Sequence, residues 1–273
     1  MQVLLSTGLP IIPRDDDDCE AFDSDFPAGS VVDSDADSSN VHFIAISPKG
    51  SFTTGNGALE LKLQKPDGDV TAKDGINDKV GVGATINATK PIRHGKVTFV
   101  AETPKVAGVV SAMILIGSDS QDEIDIEILG GDIDHWQTNF FATPPGSEPI
   151  FGKFGDTHGY NDSDASSTHT YVIDWNQDRI SWSVDGDEVR SVQKSELPTI
   201  CMPCLDKTIT ENSTNGGQTY YPTHKMGMQM GIWDASGEAD SASWTKGPID
   251  WKNAPDNIKT LIHSVKVECG VVQ

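Results

Sequence analysis

Asp122-Glu123-Ile124-Asp125-Ile126-Glu127-Ile128 alternates acid and isoleucine with a period of two. Successive side chains of a β-strand point to opposite faces, so Glu123, Asp125 and Glu127 share one face and the three isoleucines share the other. The isoleucine face requires burial. The acid face works against local stability, because like charges two residues apart repel and Asp and Glu are poor strand formers. Where local preference is overridden in this way, a functional requirement is the expected cause.

The same period runs through the neighbouring sequence. Residues 59–63, 96–101, 136–141, 171–175, 180–184, 188–190, 226–233 and 262–267 read as strands, and 108–115 is a small-and-apolar run suited to a strand buried on both faces. Asp185-Gly186 between two of them is a hairpin turn signal. At most a short helix is expected, over 192–197. Short strands separated by turn signals, with no repeat and no linker break, predict an all-β antiparallel β-sandwich forming a single domain over 19–273. Residues 1–18, ending in the run Asp15 to Asp18, read as an acidic, flexible leader, and 206–218 as a surface loop.

The chain has 273 residues, 20 Lys plus Arg against 41 Asp plus Glu, and a formal net charge of −21. Phosphate backbones and anionic lipid surfaces repel such a chain, which excludes nucleic acid and membrane surfaces as expected partners. A neutral polysaccharide feels no such repulsion. No apolar run approaches the roughly 20 residues of a membrane-spanning helix, and the start, residues 1–12, is a poor signal peptide. Four cysteines, at 19, 201, 204 and 269, are expected to form two structural disulfides, with Cys19 and Cys269 near opposite ends of the sequence. Asn87, Asn161 and Asn212 each open a glycosylation tripeptide. Paired cysteines and these acceptors together favour a secreted or cell-wall glycoprotein.

Two carboxylates flanking a glycosidic bond are the equipment of glycoside hydrolysis: one protonates the leaving oxygen, the other attacks the anomeric carbon or activates water. Glu123 and Glu127 lie about 13 Å apart at Cα in a flat strand. A retaining pair needs its carboxyl groups about 5–5.5 Å apart, so both side chains must lean over Asp125; an inverting pair tolerates a wider gap. Asp125 can share a proton with one glutamate, and mutual repulsion then pushes the apparent pKa values apart. The competing readings are a solvated strand face and a structural calcium site.

Asp122-Glu-Ile-Asp-Ile-Glu127 resembles the signature of glycoside hydrolase family 16, and closest to the chitin–glucan cross-linking branch of fungal cell walls. The resemblance extends through Ile92-Arg-His-Gly95-Lys-Val97, Gly108-Val-Val-Ser-Ala112, Leu129-Gly-Gly-Asp132, Gln137-Thr-Asn139-Phe-Phe141, His169-Thr-Tyr171, Val184-Asp-Gly186, Arg190, Gly231-Ile-Trp233 and Gly247-Pro-Ile-Asp-Trp251. It implies a concanavalin A-like jelly roll with a concave carbohydrate-binding cleft and a retaining mechanism. Glu123 is then the nucleophile, Asp125 its helper and Glu127 the general acid/base. Gln121 and Ile126 depart from the aromatic residues some relatives carry at these positions.

Indole faces stack on pyranose rings, so exposed tryptophan in a cleft suits a β-glucan binder. Of the six tryptophans, Trp175 and Trp182 fall inside a regular hairpin and are expected in the core. Trp233 and Trp244 are the candidate sugar platforms, joined by Gln137 and Asn139 on one face of the strand after the motif. His135 and His169 read as structural groups or sugar contacts. The expectation is a monomeric enzyme of internal β-linkages in cell-wall β-glucan or chitin, needing no cofactor. The rival is a lectin or carbohydrate-binding module on the same sandwich.

Overall fold

Ile124, Ile126 and Ile128 are buried, which commits the strand Glu123–Leu129 to one wall of a two-sheet core. Each such side chain contributes roughly 1.5–3 kcal/mol by leaving water, enough to hold an acid-bearing strand in register. The computed structural model describes residues 19–118, 120–144, 150, 152–200, 208–209 and 218–270. Four features read from sequence lie outside them: the leader 1–18, Cys201 with Cys204, the Asn212 acceptor and most of the loop 206–218.

Two eight-stranded sheets form the sandwich. The front sheet runs, in spatial order, Asp156–Gly159, His135–Phe141, Glu123–Leu129, Val109–Ile116, Met226–Asp234, Thr85–Ile92, Phe43–Ala45 and Val31–Asp33. The back sheet runs Asp187–Gln193, Arg179–Val184, His169–Trp175, Gly95–Glu102, Asn257–Cys269, Leu59–Gln64 and Phe52–Thr53, with Phe22–Ser24 also paired to Asn257–Cys269. Pairing is antiparallel except between Val31–Asp33 and Phe43–Ala45. This is the antiparallel β-sandwich that the period-two pattern predicts, and it agrees with the jelly roll that the family resemblance implies.

Trp136, Trp175, Trp182, Tyr171, Phe99 and Phe140 fill the space between the sheets, so Trp175 and Trp182 are core residues. Cys19 and Cys269 form a disulfide with Cα atoms 5.7 Å apart. Residues 192–197 extend a strand to Gln193 and then make a single 3-10 turn, Lys194–Glu196. One short α-helix, Ala239–Trp244, is present where no helix is expected from sequence; six residues carry too little periodicity to be recognised. Of the two described glycosylation acceptors, Asn161 is exposed, whereas Asn87 sits within Thr85–Ile92 and its Oδ1 accepts a 2.8 Å hydrogen bond from Gln229 Nε2. No helix among the described residues is long and apolar enough to cross a membrane.

Candidate active site

Strand register fixes what surrounds the acids. Directly paired residues of an antiparallel sheet share a face. Asp125 pairs with Asn139 on one side and Ile114 on the other, and Ile114 pairs with Gln229, which pairs with Asn87. One row across the front sheet therefore reads Asn139, Asp125, Ile114, Gln229, Asn87. The next row reads Gln137, Glu127, Ala112, Gly231, Thr85 by the same pairings. Glu123 opens its strand between Phe141 and Ile116.

The acids are not a solvated strand face. Asp125 is 1 % exposed and Glu127 5 %, while Glu123 is partly buried. Both Asp125 carboxyl oxygens and Glu123 Oε1 are buried without a donor from the described residues, so the contact between Asp125 and Glu123 is a hydrogen bond only if a proton stays on one of them. Burial raises all three acids. Asp125 is driven well above the usual carboxylate range by desolvation, then by the charges of Glu123 and Glu127, and its proton is the one shared with Glu123. Glu123 is raised by desolvation, but the hydrogen bond from Asp125 opposes the shift. Glu127 is raised from 4.5 to about 8, first by desolvation and then by the charge of Glu123. Glu123 is thus the acid whose shift a hydrogen bond opposes, while neighbouring charge adds to burial in pushing Asp125 and Glu127 toward the protonated form.

A pH dependence of stability follows, with its sign fixed by the direction of these shifts. A folded-state pKa above the unfolded value contributes stability that is complete below the unfolded pKa and is lost as pH rises through the folded one. For Glu127 that window runs from 4.5 to about 8, at about 1.4 kcal/mol per pH unit. Calorimetric Tm is expected to fall from pH 5 to pH 8, and Glu127→Gln to flatten the decline. A variant with the parent's slope would exclude the buried, protonated state of Glu127.

The predicted sugar contacts divide into a cluster and a separate residue. Trp244 Nε1 donates to Gln137 Oε1 at 3.0 Å, and the Trp233 and Trp244 rings lie 6.3 Å apart at an interplanar angle of 32°. Both indoles pack on a small apolar group, Val110, Leu129 and Ala235, separate from the main core. Gln137, Trp233 and Trp244 are therefore brought together beside Glu127. Asn139 stands one row away, beside Asp125, and its Oδ1 accepts the Phe140 N–H. Gly131 explains how the short helix reaches this place, while Gly130 admits the loop at Val106. A Cβ at Gly131 would lie 2.3 Å from the Thr245 carbonyl oxygen, and one at Gly130 2.3 Å from that of Val106. Only bare backbone lets the segment carrying Trp244 close over the end of the acid strand.

The acid strand is also fixed from behind. Trp182 Nε1 donates to the Asp125 carbonyl oxygen at 3.1 Å. Arg190, lying over the Trp182 ring, donates to Thr138 Oγ1 at 2.8 Å and to the Phe154 carbonyl at 2.6 Å. Asp234 accepts from Gly81 N, Ser236 N and Trp251 Nε1, fixing the exit from the strand that carries Trp233. Asp122 accepts three hydrogen bonds from Thr223 and His224. Sequence reading missed Asn87 and Gln229 on the front face and Asp122 and Asp234 at strand ends. Period two alone places Gln229 beside Gly231 and Gly227, but pairing across strands is needed to put it opposite Ile114.

His135 contacts Asp132 Oδ1 at 3.0 Å, and Lys246 bridges the same oxygen at 2.9 Å, at the Trp244 end of the face. His169 is buried, held between Asp185 Oδ2 at 2.7 Å and the Asp164 carbonyl at 3.0 Å, and stacks on Tyr160. It is a structural group of the back sheet. Among the described residues no group of three or more His, Cys, Asp or Glu side chains is arranged to hold a metal ion.

Comparison with known proteins finds similarity at the level of family, sequence and fold. Residues 39–207 match the sequence model of Glycosyl hydrolases family 16. Crh-like protein 2 of Aspergillus fumigatus is 33% identical over 204 residues, covering 70% of this chain and 41% of that protein. Crh-like protein CRH11 of Candida albicans is 30% identical over 219 residues, covering 78% of this chain and 39% of that protein. The chain thus spans about two fifths of the length of these relatives. A solved structure, Crh5 transglycosylase in complex with NAG, superposes with a TM-score of 0.64 at 24% identity, covering 93% of this chain and 86% of that one, which supports the fold.

Proposed function

The chain belongs to the glycosyl hydrolases of family 16, and on that footing we propose that it is a retaining, endo-acting glycosidase or transglycosylase of cell-wall β-glucan or chitin. The observation that carries the reading is three acids on one face of the front sheet, Asp125 and Glu127 almost fully buried and Glu123 partly so, where burial raises all three and neighbouring charge pushes Asp125 and Glu127 further. Glu123 is the ionised member and attacks the anomeric carbon. Glu127 gives its proton to the leaving oxygen, and a covalent glycosyl–Glu123 ester forms. Asp125 holds Glu123 by the shared proton, which keeps the nucleophile oriented and ionised.

The second half follows from the same electrostatics. Once Glu123 is esterified its negative charge is gone, and with it the repulsion that helps hold the proton on Glu127. Glu127 then ionises more readily and accepts the proton of the incoming hydroxyl, whose oxygen displaces Glu123 from the sugar carbon. Water as acceptor gives hydrolysis, and a sugar hydroxyl gives transfer. Trp233, Trp244, Gln137 and Asn139 line the substrate path beside these acids, the indoles as stacking platforms. The relatives favour transfer, because the superposed Crh5 structure is a transglycosylase holding NAG.

A secreted or cell-wall location fits the disulfide and the acidic surface, and a monomer suffices because one chain supplies every residue invoked. A lectin on this sandwich has no use for two buried acids that lower stability above pH 5. The deciding measurement is incubation with laminarin, mixed-linkage glucan and chitin oligomers separately, followed by mass analysis. Products longer than the donor are expected. Shorter products alone would reduce the reading to hydrolysis, and unchanged glycans with retained binding would leave the lectin.

A further inference from the structure

Glu123 is the first residue of its strand, and strand ends lack ladder bonds on their outer side. A nucleophile must nevertheless be held to a fraction of an ångström, since a misplacement of about 1 Å can cost about a hundredfold in rate. The residue before it is a buried carboxylate, Asp122, 3 % exposed. A single oxygen of Asp122, Oδ2, accepts the Thr223 N–H at 2.7 Å, the His224 N–H at 2.9 Å and a bond from His224 Nδ1 at 2.9 Å. Its own backbone is engaged too: the Asp122 carbonyl accepts from Gly117 N at 2.8 Å, and its N–H donates to Ser120 Oγ at 3.3 Å.

The segment 220–225 is tied at its other end to the back sheet. Tyr221 OH donates to the Asn176 carbonyl at 2.6 Å and Trp175 Nε1 to that of Pro222 at 3.3 Å. The segment then enters Met226–Asp234, whose Gly227 pairs with Ile116, the partner of Glu123. Asp122 is therefore the node where the turn from Val109–Ile116, the acid strand and the inter-sheet segment meet. Charge-assisted bonds of this kind are roughly twice as strong as neutral ones.

We propose that Asp122 is a positioning residue for Glu123, locking the start of the acid strand by gathering three N–H groups of Thr223 and His224 on one buried carboxylate oxygen. The proposal rests on Glu123 being the nucleophile, so its test carries a readout that needs no turnover. Asp122→Asn keeps the volume and an accepting oxygen but removes the charge. In the folded variant, amide hydrogen exchange at residues 123, 223 and 224 is expected to quicken at least tenfold. On the glycan that the parent enzyme uses, kcat is expected to fall about ten- to a hundredfold with KM within twofold.

Parent-like exchange at Glu123, or a rise in KM at constant kcat, would overturn the positioning role. If Asp122→Asn does not fold, His224→Ala decides: its side chain is 55% exposed, and its loss removes one of the three donors. Exchange at Glu123 should then quicken and kcat fall by about two- to fivefold each, and parent-like values for both would sink the idea. A parent enzyme inert toward every glycan would refute the proposed reaction, while the exchange data would still judge the role of Asp122.

Discussion

Turnover is expected to fall by about 10²- to 10⁴-fold when Glu127 is replaced by Gln, the range for losing a general acid/base. The loss should depend on the leaving group in a way that identifies the role. A natural glycosidic oxygen needs the proton that Glu127 holds to about pH 8, so glycan cleavage should nearly stop. An aryl glycoside with an acidic phenol leaves without help, so its first step should survive and the covalent intermediate accumulate, because no base remains to activate the acceptor. Added azide, which needs no deprotonation, should then restore turnover and yield a glycosyl azide of retained configuration. Equal loss on both donors, without rescue, would assign Glu127 a merely structural role. The same variant should be more stable than the parent at pH 8, since an amide of the same size is not penalised for ionising in the unfolded chain.

Glu123→Gln is expected to cost more, on the order of 10⁴-fold or greater, as removal of a covalent nucleophile does elsewhere. Glycan affinity should change by less than a few fold, because Gln137, Trp233 and Trp244 are untouched. A second effect is specific to this geometry. The Glu123 charge contributes to holding both Asp125 and Glu127 above the usual carboxylate range. With that charge gone, the proton on Glu127 should be released at lower pH, and the upper end of the Tm decline should move to lower pH while its start near 4.5 stays in place. Loss of activity without such a displacement would mean that the three acids do not interact as described. Full activity would remove Glu123 from the role of nucleophile.

The period-two signal carries its information because one face of each strand is dry. Ile124, Ile126 and Ile128 are legible as core from sequence because nothing else fits a buried wall, and the acids are legible as a group because they oppose that logic. Trp175 and Trp182 are readable for the same reason. Trp244 is harder to read: its helix is too short for a period, and its position depends on Gly131 admitting backbone that no local pattern announces. Gln229 and Asn87 are invisible because their meeting is set by register between strands some 140 residues apart in sequence. Asp122 is hidden by its neighbours. Within an acidic run it reads as one more charge, and only the chain around Thr223 reveals that it is buried and bonded. The acids themselves illustrate the converse: their side-by-side placement follows from alternation, but the near-complete burial of Asp125 and Glu127 does not, since covering a face is a property of the assembled sheets.

The order of strands in space constrains how this protein can be made. Asn257–Cys269 lies between Gly95–Glu102 and Leu59–Gln64 in the back sheet, and Met226–Asp234 lies between Val109–Ile116 and Thr85–Ile92 in the front one. Neither sheet can close until its late-synthesised strand has left the ribosome, so the earlier strands must wait with unpaired edges, a condition that invites aggregation. Chaperone dependence during synthesis, and poor yield when synthesis stops short of residue 269, are the expected marks of that waiting period.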